Sequence, residues 1–343
     1  MSDIQWLQAS LPVKDGGLGV RRVASLASPA FLASAASTLA LQDLILSRCD
    51  PCTDTYVLDF SAQWSLVNQL PCPCPPLASL QKVWDRPFVD TDKALVLSSA
   101  PDLYHRARLL AVSAPHSGDW LHALPISSCG LRLDDEAIRV AVGLRLGINL
   151  CEPHPCPCGA QVDSRGTHGL ACKRSAGRTS RHHNLNDLIW RGLTRAGIPS
   201  SKEPTGLSRT DGKRPDGMSL IPWQAGRNLV WDVTVADTLA ASHLAITSQQ
   251  SGSAAEHASD RKELKYSVLT PSYIFVPIAC ETMGPFGNKA VNFLSELGRR
   301  ISSVTGDPRE GSHLFQRISV AIQRFNCVCF KGSFVTLPDD TES

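Results

Sequence analysis

Three cysteines and one histidine lie close together near the middle of the chain, as Cys156-x-Cys158-x9-His168-x3-Cys172. Four such ligands drawn onto one ion fix a short loop before any apolar core exists. Thiolate and imidazole form the tetrahedral donor set that zinc prefers, and they suit calcium or magnesium poorly. Gly159, Gly166 and Gly169 permit the tight turns that bring the two ligand pairs together. The Cys-x-Cys spacing is tighter than the usual Cys-x2-Cys, so Cys151 or His154 can replace one of that pair. Four protein ligands leave no open position, so the spacing predicts a structural Zn²⁺ rather than a catalytic one. The compartment follows from the same residues. Met1 to Gly16 holds no continuous apolar stretch, and no window supplies about 18 consecutive apolar residues, so neither a signal peptide nor a membrane span is expected. Twelve cysteines in such a chain point to metal ligands and free thiols in a reducing compartment.

The pattern on either side predicts different architectures. Residues 1–125 read as helical and poor in charge. An Ala/Leu/Ser run from Val20 to Leu46 has helical spacing, with Pro29 expected to break it in two. The Cys-Pro-Cys-Pro-Pro tract at 72–76 marks a loop, and a further helix is expected over 102–112. Residues 126–180 read as a linker helix, Asp134 to Leu146, followed by the cysteine cluster. Residues 181–330 then read as a helix to Ala196, strands at 218–221 and 228–235, a helix over 254–268, a strand at 273–279 and two closing helices. That order predicts an α/β domain with a small mixed sheet flanked by helices, preceded by an all-α region and the zinc knuckle. Residues 331–343 are expected to form a disordered tail.

Two features of this last region carry chemistry. If the first two strands form a hairpin centred on Gln224, Asp216 lies opposite Asp232 on the same face, with Cβ atoms about 5 Å apart. Leu229, Val230, Val233 and Val235 put Asp232 in a buried strand, where an unpaired charge is costly. Two carboxylates at that distance repel each other and are relieved by a divalent cation, which can activate water at a phosphate. The second feature is charge. From Lys173 to Arg214 there are ten Lys/Arg against three acids, although the whole chain carries a formal charge of only +2. Arg178, Arg181, His182, His183, Lys213 and Arg214 are the candidate phosphate contacts in that stretch.

Lys213-Arg214-Pro215-Asp216 followed by a strand aspartate resembles the PD-(D/E)xK nuclease signature. Together with the upstream Cys/His knuckle, Arg181-His182-His183-Asn184, and Lys262-x-x-Lys265-Tyr266, it resembles the restriction-like endonuclease of site-specific non-LTR retrotransposons. The resemblance is specific over roughly 150–285. Gln5 to Pro12 and Gly16 to Gly19 are similar to the region after the polymerase palm in such proteins. It implies a restriction-endonuclease-like fold, Mg²⁺ on Asp216 and Asp232, DNA as target with element RNA as a further partner, no membrane, and a nuclear location. The signature places a lysine two residues after the second acid, where this chain has Thr234. In the family the lysine comes from the next helix, which implies a catalytic role for Lys262 or Lys265, neighbours on one helix face. Glu203 is a further candidate carboxylate at the metal.

Several other activities find no support. The glycines of 206–213 have the wrong spacing for a phosphate loop, and no Tyr-x-Asp-Asp tetrad is present for polymerisation. The rival to a nuclease is a binding module that keeps the zinc fold without catalysis, a reading that Thr234 favours and the aspartate pair disfavours.

Overall fold

A computed structural model describes residues 1–45, 54–207 and 214–334, which divide into two compact units, Met1–Ser99 and Ala100–Ser343. The boundary falls earlier than the expected 125, and no separate unit ends at 180. Of the expected tail, Lys331 ends the last helix and 332–334 continue in a turn, while 335–343 lie outside the described residues.

Among the described residues, the first unit has four α-helices: α1 (Asp3–Ser10), α2 (Val23–Ile45), α3 (Thr55–Asn68) and α4 (Gln81–Ser98). Ser2 and Gln5 cap α1 reciprocally, the Ser2 hydroxyl accepting from the Gln5 N–H and the Gln5 amide oxygen from the Ser2 N–H. Trp64 and Trp84 meet edge to face, 5.1 Å between centroids, over Leu32, Ala33 and Ala78. Each indole N–H donates to a carbonyl, Trp64 to Trp84 and Trp84 to Ala78. Pro29 does not break the helix as expected: α2 runs through it. Proline removes one backbone bond in the second turn, and the packing of Leu32 and Ala33 just beyond it holds the helix in place. The same helix is the one candidate for a membrane span among the described residues. By length and composition alone, Val23–Gln42 is long and apolar enough to cross a membrane, because the serines and threonine that interrupt its apolar run carry no charge.

The second unit begins with α5 (Leu103–Val112) and α6 (Asp135–Leu146), the latter capped by the Asp134 carboxylate on the Ala137 N–H. A two-stranded hairpin, β1 (His154–Pro155) and β2 (Gln161–Val162), leads into the short α7 (His168–Ala171) and the long α8 (Ala176–Arg195). Strands β3 (Ser200–Lys202), β4 (Gly217–Gln224) and β5 (Arg227–Ala236) follow, then α9 (Leu244–Thr247), α10 (Ser253–Tyr266), β6 (Ile274–Glu281), α11 (Asn288–Thr305) and α12 (Glu310–Lys331). The four-stranded sheet has the order β3-β4-β5-β6, antiparallel except for β6, which runs parallel to β5. It is the small mixed sheet flanked by helices that the pattern predicts.

Side-chain alternation along β5 assigns the two faces. Leu229, Trp231 and Val233 enter a core with Leu185, Ile189 and Leu193 of α8, and with apolar residues of α11 and α12. Asp232 and Ala236 point the other way, where Ala236 packs on Ala254 and Ala258 of α10. A second core joins α5, α6 and Leu170 of α7 to Val320, Cys327, Cys329 and Phe330 of α12. Because α12 contributes to both cores, the knuckle and the linker helix belong to the same unit as the sheet. The fit is close: a Cβ at Gly169 would sit 2.4 Å from the Cys329 carbonyl oxygen.

Candidate metal centre and acidic site

The β1–β2 hairpin carries two of the four metal ligands. Cys156 donates its N–H to Ala160 and accepts from Gly159 at its carbonyl, a tight turn in which Gly159 has φ 91°. Cys158 lies within this turn, His168 opens α7, and Cys172 follows its last residue. The ligand atoms of Cys156, Cys158, His168 and Cys172 all lie within 4.8 Å of one another, with Cys156 and Cys172 buried. Sγ of Cys156 and Sγ of Cys172 are 3.8 Å apart. Zn–S bonds of about 2.3 Å give tetrahedral sulfur–sulfur edges of about 3.8 Å, so the cluster fits zinc. Nε2 of His168 is 3.2 Å from Sγ of Cys158. The Ala160 N–H, then Cys156, draw the Cys158 thiol below its ordinary value, while burial pushes Cys156 above it. Neither alternative ligand takes part. Cys151 turns to the carbonyls of Asp163 and Ser164, and His154 stacks on Phe334 with Nε2 on the Ser333 hydroxyl. The tight Cys-x-Cys pair supplies both thiols itself.

The acidic site forms where α8, the β4–β5 hairpin and α10 converge. The hairpin turns through Ala225 (φ 49°) and Gly226 (φ 73°), two left-handed residues between paired Gln224 and Arg227. That is later than the expected centre at Gln224. Register shifts between Met218, Pro222 and Gln224 absorb the offset, so that Gly217 pairs with Trp231 and Met218 with Val230. Asp216 immediately precedes β4 in that register, its N–H on the Trp231 carbonyl, and so reaches Asp232. Gly217 is required here, since a Cβ would lie 2.0 Å from the Trp231 indole.

Both oxygens of Asp216 are engaged. Oδ1 lies 3.2 Å from Nε2 of His182, and Oδ2 accepts from the Val233 N–H at 2.6 Å. Asp232 is buried, and Nζ of Lys262 lies 2.5 Å from its Oδ1. Four side chains thus meet: His182, Asp216, Asp232 and Lys262. The Asp216 carboxylate raises the imidazole of His182 above its ordinary value, opposed by burial and aided by the more distant Asp232. Asn186, one turn after His182 on α8, donates to the Asp216 carbonyl at 3.3 Å and accepts from the Trp231 indole at 2.8 Å. The sequence places His182 among the phosphate contacts and does not single out Asn186. Their four-residue spacing on one helix face is the signal that could have joined them.

The remaining candidates have other partners. Lys265 turns from the acids to the Tyr266 hydroxyl, 2.7 Å away, and that buried tyrosine donates to the Arg214 carbonyl. Glu203 bonds through its N–H to the Asp216 carbonyl, while its carboxylate pairs with Arg214 at 2.7 Å. Arg181 corrects the phosphate expectation. It is 2% exposed, bonded to Asn326 and the Leu170 carbonyl, and ties α8 to α7 and α12. Arg178 and His183 are exposed, as are Lys173 and Arg174 beside the metal centre. Lys213 lies outside the described residues. Thr234 is partly buried on the same strand face as Asp232.

Comparison of the sequence with protein-family models and with curated proteins gives no match.

Proposed function

We propose that this unit is a divalent-metal-dependent DNA endonuclease of the restriction-like kind, with a structural zinc. The observation that carries the reading is the ion pair between Lys262 and Asp232. A lysine from the helix after the strand reaches the buried acid, beside a second carboxylate held in register by the hairpin. The departure at Thr234 is thereby compensated from α10. One acid just before a strand of a small mixed sheet and a second within the neighbouring strand, with helices on both faces, are further support for a restriction-like fold.

Asp216 and Asp232 offer the hard oxygen donors that Mg²⁺ requires, and each carboxylate keeps acceptor capacity beyond the contacts described. When bound, such a cation supplies an activated water and charge stabilisation at the phosphorus. The chain's own residues do the rest. His182 and the Val233 N–H hold the Asp216 carboxylate in one orientation, and Asn186 fixes the backbone behind it. Lys262 neutralises Asp232 in the resting site and is positioned to stabilise negative charge as it develops on a phosphate. Exposed Lys173, Arg174 and Arg178 give the strand a positive track beside the zinc. By the resemblance, a nick leaving a 3′-OH would prime reverse transcription of element RNA.

A plasmid-nicking assay with Mg²⁺ tests this. Asp216→Asn retains an acceptor for the Val233 N–H, and Lys262→Gln retains a donor to Asp232. Each is expected to lower the rate by about 10²-fold or more while DNA affinity changes little. One observation favours the rival reading. The four side chains compensate one another's charge, as a purely structural cluster would. If wild type does not nick and the variants bind DNA equally well, the unit is a zinc-containing binding module.

A further inference from the structure

Several surface arginines of the second unit have a carboxylate partner. Arg139 pairs with Glu136, Arg191 with Asp187, Arg195 with Glu310, Arg214 with Glu203, and Arg299 and Arg300 with Glu296. Half-buried Arg317 does not pair in this way. Arg317 lies on α12 where that helix packs along α8, and among the described residues no carboxylate lies within ion-pair distance of it. Its charged neighbours are mostly of its own sign. Burial first, then Arg195 and Arg191, hold its guanidinium below the ordinary arginine range, with only Glu310 and Cys129 acting in the other direction.

The geometry gathers these groups on one face. Arg191 and Arg195 stand one turn apart on α8. Arg195 crosses to Glu310 at the start of α12, and Arg317 stands two turns further along that helix, about 10 Å on by helical rise. A second arginine two turns on again, Arg324, has no acid partner among the described residues and holds the carbonyls of Gly130 and Arg132 at 2.8 and 3.0 Å. Asp187 is already shared between Arg191 and Lys202, and Asp134 is committed to the Ala137 N–H. Asp135 borders the cleft that Arg132 and Arg324 line.

We propose that Arg317, with Arg191 and Arg195 beside it, centres a second phosphate-binding face that takes the sugar–phosphate backbone of a nucleic acid. The inference does not depend on nuclease activity. A guanidinium tolerates half-burial because it is weakly hydrated, and its planar fork matches phosphate oxygens two at a time. Successive phosphates supply the row of negative charge that arginines spaced along two packed helices can follow. An acidic peptide is the other polyanion to consider. It seats carboxylates just as well, but nothing here sets a regular repeat for it.

The test uses the full chain and fluorescence anisotropy with a labelled duplex DNA and, separately, an RNA of the same sequence, over a range of salt. Arg317→Gln removes the half-buried charge, and Arg191→Glu reverses an exposed one where folding is least at risk. For at least one of the two nucleic acids, either variant should weaken binding about tenfold, and the salt slope should fall by about one for each phosphate that is no longer neutralised. Which of the two responds identifies the strand. Unchanged affinity and slope in both variants would overturn the proposal. So would displacement of the Arg317-dependent component by polyglutamate but not by unlabelled nucleic acid.

Discussion

Arg178 and Arg181 stand one turn apart on α8 and look alike in sequence, yet they answer to different physics. Arg181 is buried, with its charge spread over Asn326 and the Leu170 carbonyl, so Arg181→Ala strands a buried amide and a carbonyl. That loss should cost about 2–3 kcal/mol, read as a lower urea midpoint. Arg178 is exposed, with one bond to the Ala171 carbonyl, and Arg178→Ala should stay within about 0.5 kcal/mol while weakening DNA binding. At the metal centre, Cys172→Ser should release zinc, measurable by elemental analysis. It should also loosen α7, because a structural zinc contributes its binding energy to the local fold. The Cys/His set was readable because ligand chemistry and spacing are local. That Arg181 is structural was not readable, since its partners lie 145 and 11 residues away in the chain.

Two elements carry predictions of their own. The β4–β5 hairpin places Ala225 at φ 49°, a region that costs a Cβ-bearing residue about 1 kcal/mol. Ala225→Gly or Ala225→Asn should therefore raise stability by about 0.5–1 kcal/mol, seen as a higher melting temperature with the acidic site unchanged. Helix α10, which delivers Lys262, begins on a buried acid: Glu281 accepts the N–H groups of Ala254 and Ala255 at 2.9 and 3.2 Å. Burial raises Glu281 above the ordinary glutamate value of 4.5, outweighing Thr238 and those two N–H groups. The folded state thus binds this proton more tightly than the unfolded chain does. The stability it contributes is fully present below the unfolded value and is lost as pH rises through the folded one. Thermal melts between pH 4 and pH 8 should show Glu281→Gln gaining on the wild type as pH increases. No difference in pH dependence would mean that Glu281 ionises in the fold at no cost.

At the level of the whole chain, α12 decides where a folding unit ends. Its residues enter both the sheet core and the core of α5, α6 and α7. A chain beginning at Ala100 keeps both cores and should melt cooperatively with zinc bound. One beginning at Arg181, the boundary that the sequence pattern suggests, strips Leu170, Val140 and Leu144 from α12 and should aggregate or fail to melt as one transition. Circular dichroism of the two fragments distinguishes these outcomes.

The sequence by itself determined the features whose causes are local. Ligand spacing fixed the Cys/His centre, alternation and turn residues gave the hairpin, and the acids of Asp134–Glu136 marked the start of α6. It also placed Asp216 opposite Asp232, although through a turn position that the structure corrects by register shifts. Tertiary structure alone decided which lysine meets the acids, because Lys262 and Lys265 share a helix face in sequence. The packing of Ala254 and Ala258 on Ala236 sets the rotation of α10 that turns Lys262 to Asp232, while Lys265 meets Tyr266. It alone made His182 a partner of Asp216 and took Arg181 out of solvent. Contacts between residues far apart in the chain depend on how helices seat against a sheet, and no local pattern of residues carries that information.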